Sequence, residues 1–188
     1  MKKSFLLIAA AAFAVGAMFS SCGPKSVAKI AGEREVSVPC ADFSTDDKFF
    51  RGVGTAQSGD LNTARERARM AANTELATSM SAVIKSVSER YVNDAGVTAA
   101  DFAQLFEGLT RQVVNQQINN VRVACNQTNQ TQDGTMYRVY MAVEASKEEV
   151  LAELQRQAAA DQRIQTLFDR ERFRQSYEAE MAEFASNR

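Results

Sequence analysis

Three cysteines are the residues of this chain best suited to covalent chemistry, and their positions give them different tasks. Cys22 ends a stretch in which Lys2 and Lys3 precede an almost unbroken apolar run over residues 5–19, followed by the small residues Ser20 and Ser21. That is the layout of a secretory leader whose cleavage leaves a cysteine at the new N-terminus. The run is shorter than the ~20 apolar residues that a membrane-spanning helix needs. Cys22 is therefore the expected lipidation site, with diacylglycerol on its sulfur and a further palmitate-type chain on its amine. Each buried methylene contributes about 0.8 kcal/mol, and two or more chains hold a protein on a bilayer where one does not. Phe19 stands where a bacterial lipobox usually carries Leu, and Gly23 and Pro24 keep the following chain extended. The competing reading is an ordinary signal peptide with an incidental cysteine, but no A-x-A site lies nearby.

Cys40 and Cys125 remain as two thiols in an oxidising compartment. Either they pair, closing a loop of about 85 residues and adding a few kcal/mol of stability, or they are buried free thiols acting as small apolar groups.

The rest of the chain offers little catalytic chemistry. It has no His and no Trp, so the commonest metal ligand and general acid or base is missing. With 22 basic and 23 acidic residues it lacks the basic excess of a nucleic-acid binder. Gly52, Gly54 and Gly59 are misplaced for a dinucleotide fingerprint, and no Lys-Ser/Thr pair directly follows them as in a phosphate loop. Asp46 and Asp47 are adjacent carboxylates in a polar turn, expected to be solvated. No catalytic residue, metal site or cofactor is expected, and the chain reads as a non-enzyme. The two N-x-T sequons at Asn126 and Asn129 are discounted, because the leader is bacterial.

Behind these residues stands one domain. Residues 1–21 are the leader and residues 22–34 a lipidated tether. Residues 35–158 read as an α+β domain and residues 159–188 as a helical C-terminal extension. Val36, Val38 and Cys40 alternate with polar neighbours as a short edge strand. FFRGVGTAQ, residues 49–57, reads as a strand whose Gly52 and Gly54 admit a close backbone. Ser58, Gly59 and Asp60 end it and offer a helix cap. Leu61, Ala64, Ala68, Ala71, Leu76, Met80, Val83, Val87 and Tyr91 then keep a three-or-four spacing. The alanine half of that stripe suits a sheet bearing glycines.

Thr98 and Asp101 resemble the capping box of a second helix carrying Phe102, Leu105, Phe106, Leu109 and Val113. Val121, Val123 and Cys125 then alternate with polar residues. After a loop ending in Asp133 and Gly134, so do Tyr137, Val139, Met141 and Val143, which together make a hairpin. Ser146 and Glu149 form a capping box for a further helix. In the extension, Ile164, Leu167 and Phe168 face one way, and Phe173, Tyr177, Met181 and Phe184 nearly the opposite way. Either the chain bends near residues 169–172, or the second set contacts a partner.

The succession FRGVGTA, alanine-spaced helix and DGTMYRVYMAVE hairpin resembles the LPP-twenty type of bacterial lipoprotein, a module similar to the N-terminal domain of flagellar assembly protein T. Gly52, Gly54 and Ala56 match its strand, Ala64, Ala68, Ala71 and Ala72 its helix, and Asp133, Gly134 and Tyr137 its hairpin. Residues 47–155 carry the likeness; the hairpin lacks the tryptophan common in the family. The resemblance implies an antiparallel sheet of about three strands packed by a long helix, in β-α-α-β-β-α order, and no catalytic residues.

The sequence thus points to a Gram-negative outer-membrane lipoprotein of the cell envelope. Gly23, where inner-membrane lipoproteins carry Asp, favours the outer membrane, and the absence of acids from residues 23–30 favours its periplasmic face. Its partners are expected to be the membrane, through the anchor, and other envelope proteins or itself, in a structural or adaptor role. The alternative is a periplasmic binding module for cell-wall glycan or a small ligand, using the amides of residues 126–132.

Overall fold

The computed structural model describes residues 36–95 and 99–186; Cys22, the leader, the tether and Thr98 lie outside them. Strand β1 (Phe49–Ser58) is followed by helices α1 (Leu61–Ala95) and α2 (Ala99–Asn119). Strands β2 (Arg122–Gln130) and β3 (Tyr137–Ser146) come next, then helices α3 (Lys147–Ala160) and α4 (Arg170–Ser186). The fold is α+β, with one antiparallel sheet in the order β1-β3-β2. From Ser37 onward the chain is one compact unit.

The sheet and α1 meet at unusually short range. β1 turns Phe50, Gly52 and Gly54 into the core, opposite Ala145, Val143 and Met141 of β3. A methyl group on Gly52 would sit 2.2 Å from the carbonyl oxygen of Ala72 and 2.5 Å from the nitrogen of Leu76. On Gly54 it would meet the Ala68 oxygen at 2.2 Å and the Ala72 nitrogen at 2.4 Å. Helix backbone therefore rests on strand backbone, and only glycine beneath alanine leaves the room. Ala64, Ala68 and Ala72 are the fully buried alanines of α1; Ala71, placed on the stripe by its spacing, is exposed one step round the helix.

Asp60 starts α1: its Oδ1 accepts from Thr63 N at 2.8 Å and its carbonyl from Ala64 N at 3.0 Å. The first bond satisfies a donor that a helix start leaves open, and the second is the first internal bond of the helix. At 35 residues the helix runs about 52 Å, well past the sheet. Its far half buries Met80, Ile84, Val87 and Tyr91 among α2 and α4. There Tyr91, Phe102, Phe106, Phe168 and Phe173 form a chain of ring contacts with centroids 5.1–6.1 Å apart.

Two expectations are corrected here. Residues 36–40 form a turn and no strand: Ala41 N donates to Val38 O at 3.2 Å, and Cys40 has φ 61. Pro39 fixes the first corner of that turn, and a positive φ follows it, as in a type II turn.

The second correction concerns the set proposed as a partner contact. Phe173 is fully buried and Tyr177 is 3% exposed, while Met181 and Phe184 pack half-buried against the same core. The conflict of faces disappears because the helix breaks over residues 161–169, a few residues earlier than expected, and α4 returns onto α1. Tyr91 holds that break, its hydroxyl donating to Leu167 O and accepting from Asp169 N, both at 2.8 Å. Asp169 in turn caps α4 through the N–H groups of Glu171 and Arg172. Ser146 caps α3, accepting from Glu149 N as its capping box predicts.

Replacing Gly52 or Gly54 by Ala should destabilise the fold by about 3 kcal/mol or more, because a rigid backbone atom blocks the added methyl. Urea unfolding measures this, and a loss below about 1 kcal/mol would contradict the contact. Tyr91→Phe removes two hydrogen bonds to the backbone of the break and should cost about 1 kcal/mol in the same assay.

Candidate functional site

The sheet has a second face, turned away from α1, and the cysteines meet there. The route depends on a β-bulge. Val123 pairs with Val143 and Cys125 with Ala142, so Ala124 is an extra residue in β2. Unbroken alternation puts Cys125 on the same face as Val123. The bulge reverses that phase, since one residue of slip exchanges the faces of a strand. Cys125 thus joins Ala142 and Tyr140 on the second face, within reach of Cys40. The two sulfurs are bonded at 2.06 Å, across a sequence separation of 85.

Residues 37–47 form a strap whose middle is pinned by that bond. Its end is pinned by charge. Arg51 Nε donates to Glu144 at 3.0 Å, and its Nη1 to Asp46 at 2.6 Å and to Ser44 O at 2.9 Å. Glu144 also faces Arg122 at 4.0 Å, so an Arg–Glu–Arg row crosses all three strands. The Arg51 and Arg122 guanidinium groups both lie over the Phe49 ring, 5.4 and 5.2 Å from its centre. The side chains of Arg51 and Glu144 are each 16% exposed, which shields the pair from solvent screening.

Asp46 is no idle solvated acid. Burial opposes its charged form, but the N–H groups of Lys48 and Phe49 and the Arg51 guanidinium outweigh this and hold its carboxyl below the ordinary 3.8. Desolvation likewise works against the charge on Arg51, and its bonds to Glu144 and Asp46 more than restore it. The sequence gives only a faint sign of this network: oppositely charged residues at outward positions of neighbouring strands.

Two further features lie outside the strap. The amides expected in a strand and loop belong mostly to β2, where residues 126–130 are all exposed. A groove of about 910 Å³ runs between α1 and α2, lined among others by Ala77, Ser81, Phe106, Thr110 and Val114. No cluster of metal-ligating side chains occurs among the described residues, and no described helix is long and apolar enough to cross a membrane. No family model, curated protein or solved structure matches the chain.

Reducing the Cys40–Cys125 bond should lower stability by about 4.5 kcal/mol on the chain-entropy estimate. Unfolding with and without reductant, beside a Cys40→Ser/Cys125→Ser variant, tests it; equal midpoints would refute the contribution. The Asp46 contribution should be complete above its ordinary pKa of 3.8 and fade as pH falls through the lower folded value. The protection factors of the amides of residues 44–51 should therefore fall below about pH 4, and Asp46→Asn should remove that acid step.

Proposed function

We propose that this chain is a lipid-anchored, non-enzymatic component of a Gram-negative cell envelope. It is held through Cys22 on the periplasmic face of the outer membrane and acts structurally or as an adaptor through protein contacts. The observation that carries this reading is the Cys40–Cys125 disulfide, a bond that suits an exported protein and not a cytosolic one. It joins the leader, the Ser-Ser-Cys22 sequence and the likeness to LPP-twenty lipoproteins, which point to the same compartment.

The chain should incorporate a palmitate analogue in living cells and sediment with the outer membrane. Cys22→Ser should abolish both properties while leaving the domain folded. Cross-linking in intact envelopes should trap the wild-type chain in protein-containing adducts. An unlabelled, freely soluble wild-type chain would overturn the anchor, and a chain trapped with no protein would overturn the adaptor role.

A further inference from the structure

The two edges of the sheet are finished differently. Along β1, Phe49 O accepts from Asp46 N at 3.0 Å, Arg51 N donates to Thr45 Oγ1 at 2.9 Å, and Val53 N donates to Glu75 Oε2 at 2.7 Å. The strap and α1 thus take the place of a further strand. Along residues 126–130 of β2, no described residue does the same. Thr131 N donates to Met136 O across the hairpin at 2.9 Å. In an antiparallel ladder such pairs alternate, so Gln127 and Asn129 turn their peptide groups toward β3. Asn126, Thr128 and Gln130 must aim theirs outward. Exposed edges are ordinarily guarded by charge, proline, a bulge or a cover. This segment holds no charge and no proline, and the Ala124 bulge lies before it.

We propose that this edge pairs with the same edge of a second copy, antiparallel about a two-fold axis through Thr128, joining two sheets into one of six strands. The inference rests on the reading of the chain as one that works through protein contacts, and it names the contact. A second copy is the fitting occupant because amides and hydroxyls both donate and accept, so the strand complements itself under two-fold symmetry. In this register Thr128 opposes Thr128, and Asn126 opposes Gln130 of the second copy. All of these are outward-facing positions, allowing about six backbone hydrogen bonds. The same register carries Arg122 toward Asp133 of the second copy, and both side chains are exposed. The charges at the two ends of the edge are thus opposite in sign where the copies meet. Strand pairing covers little area, so the dimer is weak in dilute solution, and confinement to a membrane raises its effective concentration.

The full-length lipidated chain carrying Thr128→Cys, treated in its envelope with a mild thiol oxidant, should give at least tenfold more disulfide-linked dimer than Asn126→Cys or Gln130→Cys alone. Co-expressing the latter two should restore the dimer. Thr128→Lys, which sets like charges opposite each other, added to the co-expressed Asn126→Cys and Gln130→Cys chains should lower their disulfide-linked dimer in the envelope at least tenfold and leave thermal unfolding unchanged. Equal cross-linking at all three positions, or a dimer indifferent to Thr128→Lys, overturns the pairing. So does a monomer retained on isolated peptidoglycan through these amides. Capture of other envelope proteins without any Thr128→Cys dimer overturns the pairing while the adaptor reading stands.

Discussion

The contact of α1 with the bare backbones of Gly52 and Gly54 is the constraint on which the remaining architecture rests. It sets the distance between helix and sheet, and so decides which side chains fit between them: glycine below, alanine above. It also sets where α1 lies. The helix covers β1 and β3 and leaves β2 with almost no contact, so β2 buries little and carries polar side chains. Past the sheet the same helix no longer needs small residues, and Met80, Ile84, Val87 and Tyr91 take over as the spine of an aromatic core. Both halves of the domain are thus built along a single helix.

The second face obeys a different logic. It has too little apolar surface to close by burial alone, and a covalent bond and a row of charges close it instead. Removing one partner from a largely buried ion pair leaves the other uncompensated, which makes such a row costly to break. The bulge at Ala124 links the two faces. It moves Cys125 to the strap side and, by the same slip, sends Asn126, Thr128 and Gln130 to the side of α1.

The elements governed by one local period were legible in the sequence. The glycine strand, the alanine helix, the hairpin and the Ser146 cap each arise from residue type and spacing, and the α+β fold arises from their order. Features that depend on tertiary context were not legible. A bulge leaves no mark in composition, so the face of Cys125 could not be read from alternation, although the pairing with Cys40 stood as one of two alternatives. The residues around Pro39 alternate like a strand, yet a proline corner and a positive φ at Cys40 make a turn. Phe173 and Tyr177 looked unpartnered only on a straight helix; the break over residues 161–169, tied down by the Tyr91 hydroxyl, gives them a home inside. The Arg51–Glu144–Arg122 row required strand order, which the sequence does not state.

The disulfide also fixes how the molecule responds to being pulled. Tension entering at residue 37 and leaving through α4 passes from Cys40 directly into Cys125. The main chain between them, with β1, α1 and α2, hangs as a slack covalent loop that stretching cannot draw out. Only the segment beyond Cys125 can extend: the rest of β2, then β3 and the last two helices. The helix-on-glycine contact between β1 and α1 lies wholly within that loop and is thereby spared the strain.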